Sequence, residues 1–482
     1  MLIVFILYLA ATIFIAWWYS RGTKTNEEFV LGQKKFGGTA LALSERATGE
    51  SAWLLLGLTG HAFSEGISAI WVALGCVIGI LFIWYVMAAR LQKKTDETGA
   101  MTVSSLLGRN FPGSEKGIGL LSAVIVVFFF VFYIAAQFSG SGKVLHKTFG
   151  LDPFWGIIIG SVVVTIYCMM GGFVAVVVTD VFQAILMIFT LVIFPVIAFF
   201  VASANNIHLW QSIELANPDY LSLTQGREGH TALLFILSGL SWALGYSGQP
   251  QLLTRMMAIR NQREVKQARN VAMVWTILAY AGAVLIGLFG IGFLKSGLLS
   301  ADAGKLADDA EKILPVMVVL FVNPILAGVL LSGVISAMMS TASSELTVSS
   351  ASITEDILPR LNKSAMSNRS KLIINQLMTL GVGILAIVLA LTMTETVYGL
   401  VSYAWSGIGS SFGPALLLIL FWKKVSRAGI YASLITGTVS TVIWKIFFEA
   451  STGISERLAS FIAAMTLAVL FSILIPEKDK KV

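Results

Sequence analysis

The sequence predicts an all-α integral membrane protein of about 13 transmembrane helices, two of them broken. Three observations carry this. The 482-residue chain is 56% hydrophobic and 12% charged, with a mean hydropathy of +0.83, whereas a soluble domain carries about 25% charged residues. Its apolar runs of roughly 17 or more residues are long enough to cross a bilayer as helices, and they lack the period-2 alternation of barrel strands. Arg46 and Glu50 lie inside one such run, residues 38–62. A charge at that depth costs roughly 2.5–3.5 kcal/mol on insertion scales and is kept where it faces a protein interior or a watery path.

In chain order the spans fall at roughly 2–20, 38–62, 67–89, 118–142, 154–170, 173–204, 230–255, 271–296, 313–352, 371–393, 396–422, 427–448 and 457–476. The ninth is either one span with a polar, Ser/Thr-rich second half or a span with an extension. The basic residues Arg21 and Lys24 follow the first run, which reads as a retained helix with its N-terminus outside. An odd count then puts the C-terminus in the cytoplasm. About 24 of the 33 Lys and Arg residues fall in the inner loops and tail on this topology, among them Arg90, Arg255, Arg260, Arg360, Lys363, Lys423, Lys478, Lys480 and Lys481. That bias accounts for the net charge of +7 without nucleic acid.

Several function classes fall away. The chain holds no G-x-x-x-x-G-K-[ST] loop for ATP, so uphill transport would draw on an ion gradient, about 2.3 kcal/mol per charge per 100 mV. Cys76 and Cys168 lie in apolar runs, and the four histidines are scattered. No nucleophile–base pair points to an enzyme, and no obligate protein partner is evident; lipid is the expected surround.

Four constellations carry chemistry. In the second span Ala47-Thr48-Gly49 separates Arg46 from Glu50. If the stretch is helical the two charges form an i,i+4 pair; if it unwinds at Thr48-Gly49, freed carbonyls are available to a cation. A structural ion pair between packed helices is the alternative. Trp242 to Pro250 is interrupted in the same way, and two Gly/Pro-broken spans point to a transporter's central site. In the ninth span Ser340, Thr341, Ser343 and Ser344 offer neutral oxygens suited to a hard cation, or serve only close packing; Glu345 stands beside them. Asp180 is an isolated carboxylate early in a long apolar run, either functional or interfacial. Trp53, Tyr133, Trp242 and Tyr246 suit a small organic ligand or a membrane interface. The glycine run 407–413 reads as helix packing.

At these residues the chain resembles the sodium:solute symporter family, most closely its sodium/proline branch. The segments that carry the likeness are Glu28-Phe29-Val30-Leu31-Gly32, Ser51 to Gly57, Gly171 to Val176, Trp242 to Pro250, Ser340-Thr341 and Val401 to Trp405. The resemblance implies a single transporter domain over 1–482 with a LeuT-type five-plus-five inverted repeat and broken helices 2 and 7. Residues 1–37 would be an extra helix and loop, 38–204 the first repeat, 230–422 the second, and 427–482 two further helices and a tail. It implies a sodium site from the carbonyls of Ala47, Glu50 and Ala337 with the hydroxyls of Ser340 and Thr341. A second ion set would be Asp180, Ser340, Ser343 and Ser344. The solute pocket maps to Trp53, Gly57, Tyr133, Trp242, Tyr246, Gln249 and Pro250, with Thr48 and Gly49 at the break.

One departure bears on coupling. The family's sodium/proline branch has an aspartate at the position of Gly49; here the carboxylate is Glu50, and Glu45-Arg46 and Glu345 replace small or neutral residues. Either Glu50 substitutes for that aspartate, or the charges close into a network that leaves sodium on the hydroxyl site, or Glu50 and Glu345 carry protons. The expectation is a multi-pass symporter of the cell (inner) membrane that imports proline or a related amino acid with Na⁺. Proton coupling, or a solute sensor that transports poorly, are the alternatives.

Overall fold

The computed structural model describes residues 1–358, 367–393 and 396–477; Arg360, Lys363, Lys478, Lys480 and Lys481 lie outside them. Among the described residues every regular element is helical. The main helices are α1 (Leu2–Ser20), α2 (Gly38–Ala52), α3 (Thr59–Glu65), α4 (Ile70–Phe82), α5 (Ala88–Thr98), α6 (Glu115–Phe149), α7 (Pro153–Ala204), α8 (Gly229–Leu240), α9 (Trp242–Tyr246), α10 (Pro250–Met257), α11 (Gln262–Lys295), α12 (Pro324–Ser352), α13 (Asn368–Thr392), α14 (Val397–Phe421), α15 (Arg427–Phe447) and α16 (Glu456–Leu474).

Ten described helical stretches are long and apolar enough to cross a membrane, or eleven when the bent pair 229–246 and 250–257 is taken as one span. The sequence-based count of about 13 divides two of these stretches further. Residues 38–98 and 153–204 are each continuous by length, but the backbone leaves helical geometry at Gly66 (φ 68°, ψ −148°) and Gly172 (φ 52°, ψ −141°). Both positions need glycine. A Cβ at 66 would lie 2.3 Å from the Tyr220 carbonyl, and one at 172 would lie 2.5 Å from Phe29. The ninth span proves to be a helix with a preceding segment: Ile313–Phe321 ends at Val322, where the backbone is extended, and Asn323 caps α12 by accepting from the amides of Ile325 and Leu326.

Burial sorts the helices into a core and a rim. The most apolar window of α12 is 83% buried, against 22% for α1. The outer faces of α1, α13 and α15 carry Ile3, Phe14, Ile384, Val388 and Ile443, all exposed, as a lipid-facing surface requires. Core helix α12 can be rich in Ser and Thr because several of its hydroxyls are satisfied by its own backbone. Ser332 donates to Gly328 O, Thr347 to Ser343 O and Ser350 to Thr347 O. The glycine run of α14 lets that helix meet the α9–α10 break by backbone contact: Gly409 lies against Gly245, and Gly413 against Gly248.

Candidate functional site

The two broken spans meet in the core. In the second span the interruption is not at Thr48-Gly49. Helix α2 stays wound through that turn, and the backbone leaves helical geometry at Ser51 (φ 50°, ψ −174°). The reason is the i,i+4 pair: Arg46 Nη1 donates to Glu50 Oε1 at 2.6 Å, which braces the turn containing Thr48 and Gly49. Beyond the break the freed amides find new acceptors. Ala52 N donates to Gln137 Oε1 at 2.9 Å, and Trp53 N to Ser51 Oγ at 3.0 Å; the Tyr133 hydroxyl faces Ser51. The chain then continues as a wide turn over 53–58. In the other broken span Gln249 is extended (φ −82°, ψ 105°), Pro250 begins α10, and the two parts bend by 43°.

The hydroxyl cluster sits where α12 crosses α2. Ser340 Oγ donates to Ala47 O at 2.9 Å and approaches Ala337 O at 3.1 Å, and Thr341 Oγ1 donates to Thr48 O at 2.8 Å. Three of the oxygens expected around a cation, Ser340 Oγ, Ala47 O and Ala337 O, therefore lie in direct contact, while the Thr341 hydroxyl meets the Thr48 carbonyl, which was not expected in the set. The Glu50 side chain turns away from them to Arg46 and Tyr280.

Around Asp180 the arrangement differs from expectation. Its Oδ2 accepts from Ser44 at 2.6 Å, Thr48 at 3.2 Å and Arg255 at 3.1 Å. Ser344 meets Thr48 at 2.8 Å and also accepts from Arg255. Ser343 instead donates to Ser340 O in its own helix at 2.9 Å. Arg255, counted from sequence as an inner-loop charge, is fully buried. It closes α10, and its guanidinium also reaches Ser44 at 3.1 Å and Gln251 O at 2.9 Å. Asp180 itself is fully buried within the protein.

Arg46 is fully buried and paired with carboxylates of its own helix. It is bidentate to Glu45, with Nε at 2.6 Å from Oε2, and Nη1 also meets Thr276 at 3.3 Å. Trp84 Nε1 donates to Glu45 Oε2 at 3.0 Å. Tyr280 donates to Glu50 Oε2 at 2.6 Å, and the Tyr280 and Tyr246 hydroxyls are 2.9 Å apart. A Cβ at Gly49 would lie 3.1 Å from Leu252 and 3.5 Å from Arg46 Nη2, so position 49 faces the guanidinium. Glu345 is fully buried, and neither carboxylate oxygen has a hydrogen-bond partner among the described residues.

The aromatic residues converge. Trp53 and Trp242 ring centroids are 4.4 Å apart, Trp242 and Trp405 6.1 Å, and Tyr246 and Trp405 4.7 Å. Gly57 packs under Trp53 and Tyr398. Gln249 Nε2 donates to Trp405 O at 3.1 Å and to Gly245 O at 3.3 Å, which holds the break against α14. Arg457 of α16 lies 4.5 Å from the Trp242 ring. Sequence reasoning missed Arg255, Gln137, Tyr280, Trp84 and Thr276 as members of these networks. The available signal was a polar side chain inside an apolar run, which Gln137 and Tyr280 both show.

Comparison with known proteins places this geometry. The family model described as "Sodium:solute symporter family" matches residues 29–437. The high-affinity proline transporter PutP of Bacillus subtilis is 35% identical, over 95% of this chain and 94% of that protein. The sodium/proline symporter of Escherichia coli is 34% identical, over 98% and 93% respectively. Among solved structures, a Na⁺-coupled sialic acid symporter in a substrate-bound outward-open state superposes with a TM-score of 0.83 at 18% identity, covering 99% of this chain and 98% of that one. Mhp1, a nucleobase-cation-symport-1 family transporter in a closed conformation, gives 0.53 at 14% identity over 95% and 97%. The fold is therefore that of the LeuT-type symporters. With the family match covering most of its length and close relatives over nearly all of it, the chain belongs to the sodium:solute symporter family.

Proposed function

We propose that this protein imports proline or a closely related amino acid together with sodium, by alternating access across the cell membrane. The observation that carries the reading is the meeting of Ser340 and Thr341 hydroxyls with the Ala47 and Thr48 carbonyls. Sodium is a hard cation that takes oxygen ligands, and hydroxyls and carbonyls supply them at low desolvation cost. On rotation the two hydroxyls turn lone pairs to an ion and release the carbonyls beside it. An ion there fastens α2 to α12 and fixes the pocket wall that begins at Ser51. Sodium and solute would then favour each other by one shared coupling free energy. The names of the relatives supply the solute class.

The solute would lie between the two breaks, with Trp53, Trp242 and Tyr246 on its apolar body and Thr48, Gly49, Gly57, Tyr133, Gln249 and Pro250 around it. Residues 38–204 and 230–422 would be the two inverted repeats, with the N-terminus outside and the C-terminus in the cytoplasm. The closed Glu45–Arg46–Glu50 network favours sodium on the hydroxyl site, because Arg46 already occupies the space beside Gly49. Arg255 at Asp180 weighs against an ion on the second set in this conformation. A proton-coupled reading keeps one supporting observation, the unpartnered carboxylate of Glu345.

The test is proline uptake into proteoliposomes under an imposed sodium gradient and, separately, an imposed proton gradient. Accumulation under sodium alone is expected. Accumulation only under the proton gradient would overturn sodium coupling and direct attention to Glu345.

A further inference from the structure

The Glu50–Tyr280–Tyr246 chain runs from the charged turn of α2 to the aromatic wall. We propose that Glu50 and Tyr280 are positioning residues that turn the Tyr246 hydroxyl into a hydrogen-bond acceptor for the protonated amine of the solute. This rests on the reading that Tyr246 lines the solute site.

Counting protons gives the chain its direction. A guanidinium has only donors, so Glu50 Oε1 accepts from Arg46 at 2.6 Å. The ionised carboxylate has only acceptors, so Tyr280 commits its one hydroxyl proton to Oε2 at 2.6 Å. The 2.9 Å contact between the two hydroxyls then requires Tyr246 to donate to Tyr280. Tyr246 Oη is left with lone pairs alone, beside the weakly polar Cys76 thiol. An ammonium N–H meets them favourably, while an ether or carbonyl oxygen in the same place sets lone pair against lone pair.

Charge points the same way. With both carboxylates ionised, Glu45 and Glu50 share one guanidinium, and this cluster holds one negative charge in excess. The neighbouring Asp180 is answered by Arg255. An amine near Tyr246 therefore completes the charge balance of a fully buried cluster, where electrostatic interactions are strong. The residues that build the excess, Glu45, Arg46 and Glu50, are among those read from the sequence, with Gly49 and Glu345, as departures from the resemblance to the sodium/proline branch.

Glu50→Gln is a directional test. The amide oxygen of the glutamine faces Arg46, so its NH₂ faces Tyr280, and the whole chain reverses, with Tyr246 presenting a proton to the solute. Half-saturation would be measured in proteoliposomes for L-proline and for tetrahydro-2-furoic acid, its analogue with oxygen in place of the ring nitrogen. Glu50→Gln is expected to raise the proline value about 10- to 100-fold, the scale of a hydrogen bond to a charged group. It should narrow or invert the preference over the oxygen analogue and leave sodium half-saturation within about twofold. Tyr280→Phe removes one oxygen, keeps the ring and gives a smaller loss in the same direction, so the proposal stays testable if the glutamine variant misfolds. Equal losses for both ligands, or a shift in sodium half-saturation alone, would overturn the proposal while leaving the symporter reading intact. A wild type that takes up no proline would overturn the solute reading and this proposal with it.

Discussion

The two buried arginines, Arg46 and Arg255, show two ways of keeping a charge inside a membrane protein. Arg46 is neutralised within its own helix, by Glu45 beside it and Glu50 one turn on. Arg255 is neutralised across the fold: it sits on α10, while its partners Asp180, Ser44 and Ser344 lie on α7, α2 and α12. The ion pairs of the first network travel with α2 wherever that helix goes, while its neutral contacts with Thr276, Tyr280 and Trp84 are to be remade. The second must break if α10 moves away from α2 and α7. Local neutralisation preserves a charge through a conformational cycle, whereas distributed neutralisation makes the charge a fastening between moving parts.

The largest effect should come from removing the self-contained arginine. Arg46→Ala strands Glu45 and Glu50 in the core and is expected to cost about 3–5 kcal/mol, read as a lower melting temperature in detergent. An unchanged melting temperature would mean that the triad is neutralised from elsewhere. At Arg255 the expectation is conditional. Asp180→Asn alone destabilises by leaving the guanidinium unpaired, while the Asp180→Asn/Arg255→Gln double variant recovers most of that loss, with a coupling of about 0.5–3 kcal/mol by a double-mutant cycle. Additive losses would sink the idea that this pair is a fastening.

A third contrast lies within α12. Ser340→Ala and Thr341→Ala should each raise the sodium half-saturation about tenfold, measured as sodium-dependent uptake. Ser343→Ala should change it much less, since its hydroxyl donates to Ser340 O in its own helix. Equal effects at all three positions would erase the distinction.

The smallest effect is expected outside the spans. Lys35 and the amides of Lys24 and Thr25 hold the Glu28 carboxyl down at about 2. A carboxylate whose folded-state value is depressed stabilises the fold above its unfolded value of 4.5, and that contribution is lost as pH falls from there toward 2. Amide exchange over residues 24–35 should speed up across that acid window in the wild type and be flatter in Glu28→Gln.

Much of this architecture was legible because membrane physics writes it into composition. Apolar runs gave the helices, and Gly and Pro marked the break at Gln249-Pro250. The break at Ser51 was hidden. Serine rarely takes a left-handed conformation, so the nearby Thr48-Gly49 drew the prediction, and the ion pair that keeps that turn wound becomes visible only in three dimensions. Arg255 was hidden for a related reason. A basic residue at the end of an apolar run looks like an interface anchor, and its partner Asp180 lies 75 positions away. The nearness of Ser340 and Thr341 to α2 was anticipated, though not the direct bond from Thr341 to Thr48 O, whereas Gln137 and Tyr280 passed unremarked as lone polar residues in apolar helices.

Ser51 has a further consequence. A left-handed non-glycine residue costs about 1–3 kcal/mol and persists only where its surroundings over-determine it. Here Gln137 grips the next amide, and the Ser51 hydroxyl accepts from the one after it. The span therefore has a latch in place of a loose joint: the bend is held at one angle by groups that can let go. A glycine at this position would ease the strain and blur the angle, and a protein that returns the same wall to the same solute in every cycle benefits more from a repeatable bend than from an easy one.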